Sequence, residues 1–206
     1  MDLTIESSAL KGRVEIPGSK SHTIRAVAVA ALAEGESTLR APLISEDARA
    51  AVNAFSALGA EIDMNDTEWR IQGFGGKPRV PDNVIDVANS GTTLRIALGA
   101  CSLIEGGMTV LTGDAQIRRR PAGPLADSLT DLGAKVRSTR ANGCAPFIVE
   151  GTLRGGETTI ECKTSQYLSS LLINCPLAEG DSLIHVPLLN EVPYVEMTLD
   201  WLARQK

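Results

Sequence analysis

The sequence predicts an α/β fold built from repeated βαβαββ units around buried helices. The chain repeats its own plan with a period of about 70 residues. The first helix of each copy is apolar nearly all round, so it is buried on every side rather than amphipathic. In two copies a second helix ends in Leu-Gly-Ala and leads into two strand-like runs.

Copy one runs KSHTIRAVAVAALAEGESTLRAPLISEDARAAVNAFSALGAEI from Lys20, and copy two NSGTTLRIALGACSLIEGGMTVLTGDAQIRRRPAGPLADSLTDLGAKV from Asn89. Copy three runs KTSQYLSSLLINCPLAEGDSLIHVPLLNEVPYVEMTLDWLARQK from Lys163. Each opens on a polar, hydroxyl-rich turn and continues as an apolar helix (TIRAVAVAALA, TLRIALGACSLI, YLSSLLINCPLA). An acid-Gly turn follows (Glu34-Gly35, Glu105-Gly106, Glu179-Gly180), then a β-branched strand, a polar loop and a second helix. The second helices, DARAAVNAFSAL, PAGPLADSLTDL and VEMTLDWLARQ, are more polar and predicted to be partly exposed.

At Leu58 to Ala60 and Leu132 to Ala134, glycine serves as the helix C-cap. The closing strands are AEIDMN with WRIQGFGG, and AKVRST with PFIVEGT, while RVEIP, NVIDVA and TTIEC supply the strand before each opening. Copy three stops at Lys206, inside or just after its second helix, without the Leu-Gly-Ala turn or the closing strands. The third unit is therefore truncated and the chain reads as a piece of something longer, because a domain rarely leaves one repeat with an unpaired edge.

Composition narrows the function. The 206 residues are 43% hydrophobic and 22% charged, ordinary for a folded globular protein. A net charge of −5 with 3% aromatic residues does not support a broad nucleic-acid surface. The apolar run AVAVAALA at 26–33 is far shorter than a membrane span, and MDLTIESS lacks the features of a signal peptide, so a cytoplasmic location is expected. Cys101, Cys144, Cys162 and Cys175 form no CxxC pair, and with only His22 and His185 beside them they point to free, mostly buried thiols and no metal site. The basic run Arg118–Arg120 reads equally as a solvated loop or a local anion site.

Three buried helices with polar first turns imply that KSHTIR, NSGTTLR and KTSQYL meet at one surface. Helix N-termini leave backbone N–H groups unpaired and favour anions, phosphate above all. Lys20, Arg25, Arg95 and Lys163 at such ends would repel the helix dipole unless an anionic ligand offsets the repulsion. Ser21, Thr92, Ser165 and Gln166 add neutral hydrogen bonds, although Ser and Thr at helix starts are N-caps more often than ligands. Neither GxxxxGK[ST] nor GxGxxG occurs, so the usual nucleotide loops lend no support.

PGSKSHTIRA, ANSGTTLR, LTGDAQIRRRP and KTSQYLSSLL, in this order and spacing, resemble the N-terminal part of the 5-enolpyruvylshikimate-3-phosphate synthase (3-phosphoshikimate 1-carboxyvinyltransferase) family, over essentially the whole chain. The resemblance implies an inside-out α/β barrel of the enolpyruvyl transferase type, with sheets outside the helices and substrates bound between two such domains. It implies transfer of the enolpyruvyl group of phosphoenolpyruvate to the 5-hydroxyl of shikimate 3-phosphate, through a tetrahedral intermediate that loses phosphate, with no metal or organic cofactor.

Matched residue by residue, Lys20 is implied to be catalytic and to touch phosphoenolpyruvate and shikimate 3-phosphate. Ser21, Arg25, Thr164, Ser165, Gln166 and Tyr194 are implied on shikimate 3-phosphate, with Arg25 at its carboxylate. Asn89, Gly91, Thr92, Arg120 and Gln166 are implied around phosphoenolpyruvate, leaving Arg118 and Arg119 as surface residues. Two positions depart from the family pattern. Thr164 replaces a serine and keeps the hydroxyl. Glu191 stands where a phosphate-binding serine is usual, so either it points away or the loop differs, and it is left out of the site.

The resemblance further implies that residues 1–13 are a crossover strand and hinge, near Gly12, belonging to a second domain. Residues 14–206 are then the N-terminal domain, with units at about 14–78, 84–151 and 157–206. The family's acid and base groups lie in that second domain, so this chain alone is expected to be inactive unless a C-terminal half is supplied in trans. Two alternatives are a binding or assembly half and a transferase acting on UDP-N-acetylglucosamine.

Overall fold

In a computed structural model that describes residues 2–9 and 11–205, the chain forms three successive units. Met1 and Leu10 of the first segment and Lys206 at the end of the third unit lie outside the described residues. Unit one contains α1 (Lys20–Leu32), β1 (Glu36–Arg40), α2 (Glu46–Ala57), β2 (Glu61–Met64) and β3 (Glu68–Gln72). Unit two contains β4 (Ile85–Asp86), α3 (Gly91–Cys101), β5 (Met108–Thr112), α4 (Gly123–Asp131), β6 (Lys135–Ser138) and β7 (Phe147–Glu150). Unit three contains β8 (Gly156–Cys162), α5 (Ser165–Asn174), β9 (Ser182–Leu189) and α6 (Val192–Ala203).

Each unit has its own sheet. The strand orders are β1-β3-β2, β4-β5-β7-β6 and β8-β9. The pairs β4·β5 and β8·β9 are parallel, as a strand–helix–strand crossover requires, and the closing hairpins pair antiparallel. The sheets bury one face only: Trp69 and Ile71, Phe147 and Val149, and Ile160 and Cys162 alternate with outward residues.

The central helices α1, α3 and α5 are buried almost throughout past their first turns, and α3 packs against both of the others. A β-carbon at Gly99 would lie 2.3 Å from Asn174 Nδ2, so glycine permits the close α3–α5 approach. Ser170 Oγ donates to the Arg95 carbonyl (2.6 Å), and Asn174 Nδ2 donates to the carbonyls of Ile96 (3.3 Å) and Ser170 (2.8 Å). These bonds set the two helices in register. All four cysteines are free and buried. Among the described residues no helix is long and apolar enough to cross a membrane.

One predicted strand is absent. RVEIP has no regular structure, and Val14 and Ile16 are 81% and 85% exposed. Its counterparts β4 and β8 exist because β5 and β9 pair with them, whereas β1 pairs with β3 alone. A strand without a partner has no ladder to satisfy its backbone. NVIDVA shrinks to the two residues of β4 for a related reason: Ile85 and Asp86 pair with β5, and Val87 adds a single N–H bond to the Thr112 carbonyl (3.0 Å).

Candidate functional site

The three central helices start alike. Ser19, Ser90 and Thr164 cap α1, α3 and α5, accepting from the N–H groups of His22 (3.5 Å), Thr93 (3.4 Å) and Gln166 (3.5 Å). The capping role thus falls to the residue just before each helix, which leaves Ser21 and Thr92 half-buried in the first turns.

Two guanidinium groups follow. Arg25 is 1% exposed: its Nη1 donates to the Ser21 carbonyl (3.2 Å), Nε to Thr198 Oγ1 (2.8 Å) and Nη2 to Ser169 Oγ (3.0 Å). Its Cζ sits 5.8 Å from the ring centroid of Tyr194, which is half-exposed. Burial lowers the Arg25 pKa to about 10, opposed by the charges of Tyr194 and Glu191. Arg95 is 5% exposed: Nη1 donates to the Gly91 carbonyl (2.9 Å) and Gln166 Oε1 (3.1 Å), and Nη2 to the Pro121 carbonyl (2.8 Å). Burial lowers its pKa too, against the stacked Tyr167 ring. Among the described residues neither arginine is in an ion pair. Two buried positive charges with neutral partners make this end of the molecule favourable for anions.

The remaining predicted residues have varied surroundings. A β-carbon on Gly91 would lie 2.7 Å from Arg95 Nη1, 3.2 Å from Arg120 Nη1 and 3.8 Å from Gln166 Oε1, so Gly91, Arg120 and Gln166 converge on one small space. Asn89 is half-buried in the turn before α3. Lys20 Nζ is 3.4 Å from Asp47 Oδ1 on α2, and the Asp47 carbonyl accepts from Thr93 Oγ1 (3.5 Å), which ties the starts of α1, α2 and α3 together. Lys163 is exposed beside Thr164, its carbonyl accepting from Asn190 Nδ2 (3.4 Å). Arg118 and Arg119 are exposed, and the Arg118 guanidinium turns back to the Gly113 carbonyl, so the basic run is mostly surface with Arg120 set apart.

Glu191 does not point away. Its Oε2 accepts from Ser165 N–H (3.0 Å), Ser165 Oγ (2.9 Å) and Thr164 Oγ1 (3.1 Å). These bonds, chiefly the Ser165 backbone N–H, hold its carboxyl below the usual carboxylate range, with the Arg25 charge acting in the same direction. Sequence reasoning also missed Ser169, Thr198, Tyr167 and Asp47. Spacing offered a signal for two of them: Ser169 follows Ser165 by the four residues that separate Arg25 from Ser21, and Thr198 lies one helical turn after Tyr194.

A cavity of about 410 Å³, lined among others by Gly76, Arg79, Ile104 and Leu177, lies at the C-terminal ends of the central helices, away from these groups. Among the described residues no three His, Cys, Asp or Glu side chains gather as a metal site needs.

Buried helices presenting N-termini, two guanidinium groups and neutral donors at one end define a helix-cored α/β protein with a positively charged end. The chain belongs to the EPSP synthase (3-phosphoshikimate 1-carboxyvinyltransferase) family, whose model matches residues 5–206. It is 54% identical over 204 residues to a 3-phosphoshikimate 1-carboxyvinyltransferase of Acetivibrio thermocellus, covering 99% of this chain and 48% of the relative. It is 48% identical over 206 residues to one of Methanothermobacter thermautotrophicus, covering 99% of this chain and 49% of the relative. An EPSP synthase structure from Acinetobacter baumannii superposes with a TM-score of 0.80 at 30% identity, over 90% of this chain and 42% of that one. The chain thus spans about half the length of the curated relatives it matches.

Proposed function

We propose that this chain is the N-terminal half of a transferase that moves the enolpyruvyl group of phosphoenolpyruvate to the 5-hydroxyl of shikimate 3-phosphate, releasing phosphate. The observation that carries the reading is the convergence of Gly91, Arg120 and Gln166 on one space, joined through α5 to the Arg25, Tyr194, Thr164 and Ser165 cluster. Both substrates carry phosphate and carboxylate, and the two clusters supply donors of matching chemistry.

In this reading Arg25, with Ser21 and Tyr194 beside it, takes the carboxylate end of shikimate 3-phosphate, because a guanidinium forks onto two carboxylate oxygens. Thr164, Ser165 and Gln166 take its phosphate at the start of α5. Gly91 lets phosphoenolpyruvate lie against backbone, with Asn89, Thr92, Arg120 and Gln166 around it. Lys20 serves both substrates as a point charge and is the one catalytic group assigned to this half.

The acid and base groups belong to the other half, so the chain alone does not turn over. Residues 1–13 serve as the hinge and crossover toward that half; the exposure of Leu3 and Ile5 supports this for the described part of the segment. The assembled enzyme works in the cytoplasm.

Calorimetric titration of the 206-residue chain with each substrate tests the reading. Binding of shikimate 3-phosphate, its weakening in Arg25→Ala, and phosphate release only after a C-terminal half is added are expected. No binding at millimolar ligand, binding of UDP-N-acetylglucosamine instead, or turnover by the chain alone would overturn the corresponding part.

A further inference from the structure

The turn from β9 into α6 passes through Glu191 in the left-handed region, at φ 58° and ψ 41°. A non-glycine residue there is uncommon and persists where the surroundings hold it. The side chain makes no capping bond to its own helix; it reaches back 26 residues to the start of α5 and takes the Ser165 N–H, Ser165 Oγ and Thr164 Oγ1 on a single oxygen. A carboxylate with three donors is doing there what a phosphoryl oxygen would do. The buried Arg25 favours the charged form of Glu191 and is favoured by it in return.

We propose that Glu191 is an internal competitor for the phosphate subsite: its carboxylate holds the Thr164 and Ser165 donors and must leave them before a phosphate can bind. This rests on the reading of Thr164 and Ser165 as phosphate ligands. The two anions cannot share the donors, because both need the same N–H and O–H groups and repel each other. Glu191 is exposed, so its side chain has solvent to swing into. Apparent affinity for a phosphorylated ligand is then reduced by the fraction of chains in which the carboxylate has moved out. An unphosphorylated ligand that uses only Arg25 and Tyr194 does not meet this competition. Glu191 thereby sets how strongly the site discriminates by phosphate rather than whether it binds.

The test compares the unchanged chain with Glu191→Gln, equal in size but uncharged, and Glu191→Asn, shorter and tolerant of left-handed backbone. Each is titrated with shikimate 3-phosphate and with shikimate, and circular dichroism checks the fold. Both variants are expected to bind shikimate 3-phosphate about tenfold tighter, as loss of a charge-assisted competitor implies, with shikimate affinity unchanged. A merely structural role for Glu191 would move both ligands together. If the unchanged chain binds shikimate 3-phosphate and folded variants bind it no tighter, this inference is overturned and the site reading stands. If none of the three chains binds it, the site reading falls and takes the inference with it.

Discussion

Arg25 and Arg95 are two versions of one arrangement. Each lies in the second turn of a central helix, donates to the carbonyl four residues earlier and stacks on a tyrosine from unit three. Their surroundings differ. Arg95 is locked by the Pro121 carbonyl and Gln166 under a buried Tyr167, whose own hydroxyl donates to the same Pro121 carbonyl (2.8 Å). Arg25 is held by the hydroxyls of Ser169 and Thr198, beside an exposed Tyr194 and the carboxylate of Glu191. A repeated fold places the same charge twice, one as a strut under a buried ring and the other beside an exposed ring and a carboxylate, where the proposed function has it face ligand.

That contrast breaks most visibly in stability. Arg95→Ala removes the donor shared by the Gly91 carbonyl, the Pro121 carbonyl and Gln166 and leaves a void under Tyr167, and should cost about 2–4 kcal/mol in urea unfolding. Arg25→Ala should cost only about 1–2 kcal/mol, because Ser169 and Thr198, already 2.9 Å apart, satisfy each other. Equal losses would erase the distinction between strut and ligand group. Titration should reverse the order of importance: Arg25→Ala is expected to weaken shikimate 3-phosphate binding tenfold to a hundredfold, about 1.4–2.8 kcal/mol.

Gly91→Ala sharpens the same point from the Arg95 side. The new methyl would sit 2.7 Å from Arg95 and 3.2 Å from Arg120. With Arg95 locked, the 2.7 Å clash must be met by a local shift that costs about 1–3 kcal/mol of folding, and with Arg120 also displaced phosphoenolpyruvate affinity should fall about tenfold.

The Glu191 contact carries a pH signature. Its folded pKa lies below its unfolded value, so its contribution is fully present above the ordinary carboxylate pKa of about 4.3 and is lost as pH falls through the lower folded value. The stability difference between the unchanged chain and Glu191→Gln should therefore be constant near neutrality and vanish in acid. A difference that persists at pH 2 would mean that charge is not what holds the contact. The smallest effect is expected at the exposed Lys20–Asp47 pair, where Asp47→Asn should cost less than about 0.5 kcal/mol.

Local patterns were legible in the sequence. The apolar helices, the acid-Gly turns and the capping hydroxyls depend on residues a few positions apart, and the three openings do meet at one end. RVEIP was misread because a strand is a property of a pair, and alternation in Val14 and Ile16 says nothing of what lies beside them. The place of Glu191 is hidden from the sequence for a similar reason. Its left-handed backbone and its bond to a turn 26 residues earlier arise from how β9 meets α6, which no neighbouring residue announces. The Arg25 network spans 173 residues between Arg25 and Thr198, and only the packing of α1 on α6 brings them together.

β1 and β9 each pair along one side only. An unpaired strand edge is a template for another chain, and these are two of the six strands with one open side, the others being β2, β4, β6 and β8. The two are not equal. β9 contains Pro187, which offers no N–H, whereas β1 has no proline and relies on the charges of Glu36 and Arg40 at its ends. Of these two edges, β1 should therefore be the first to pair at high concentration, and added salt, by screening those charges, should bring it on sooner.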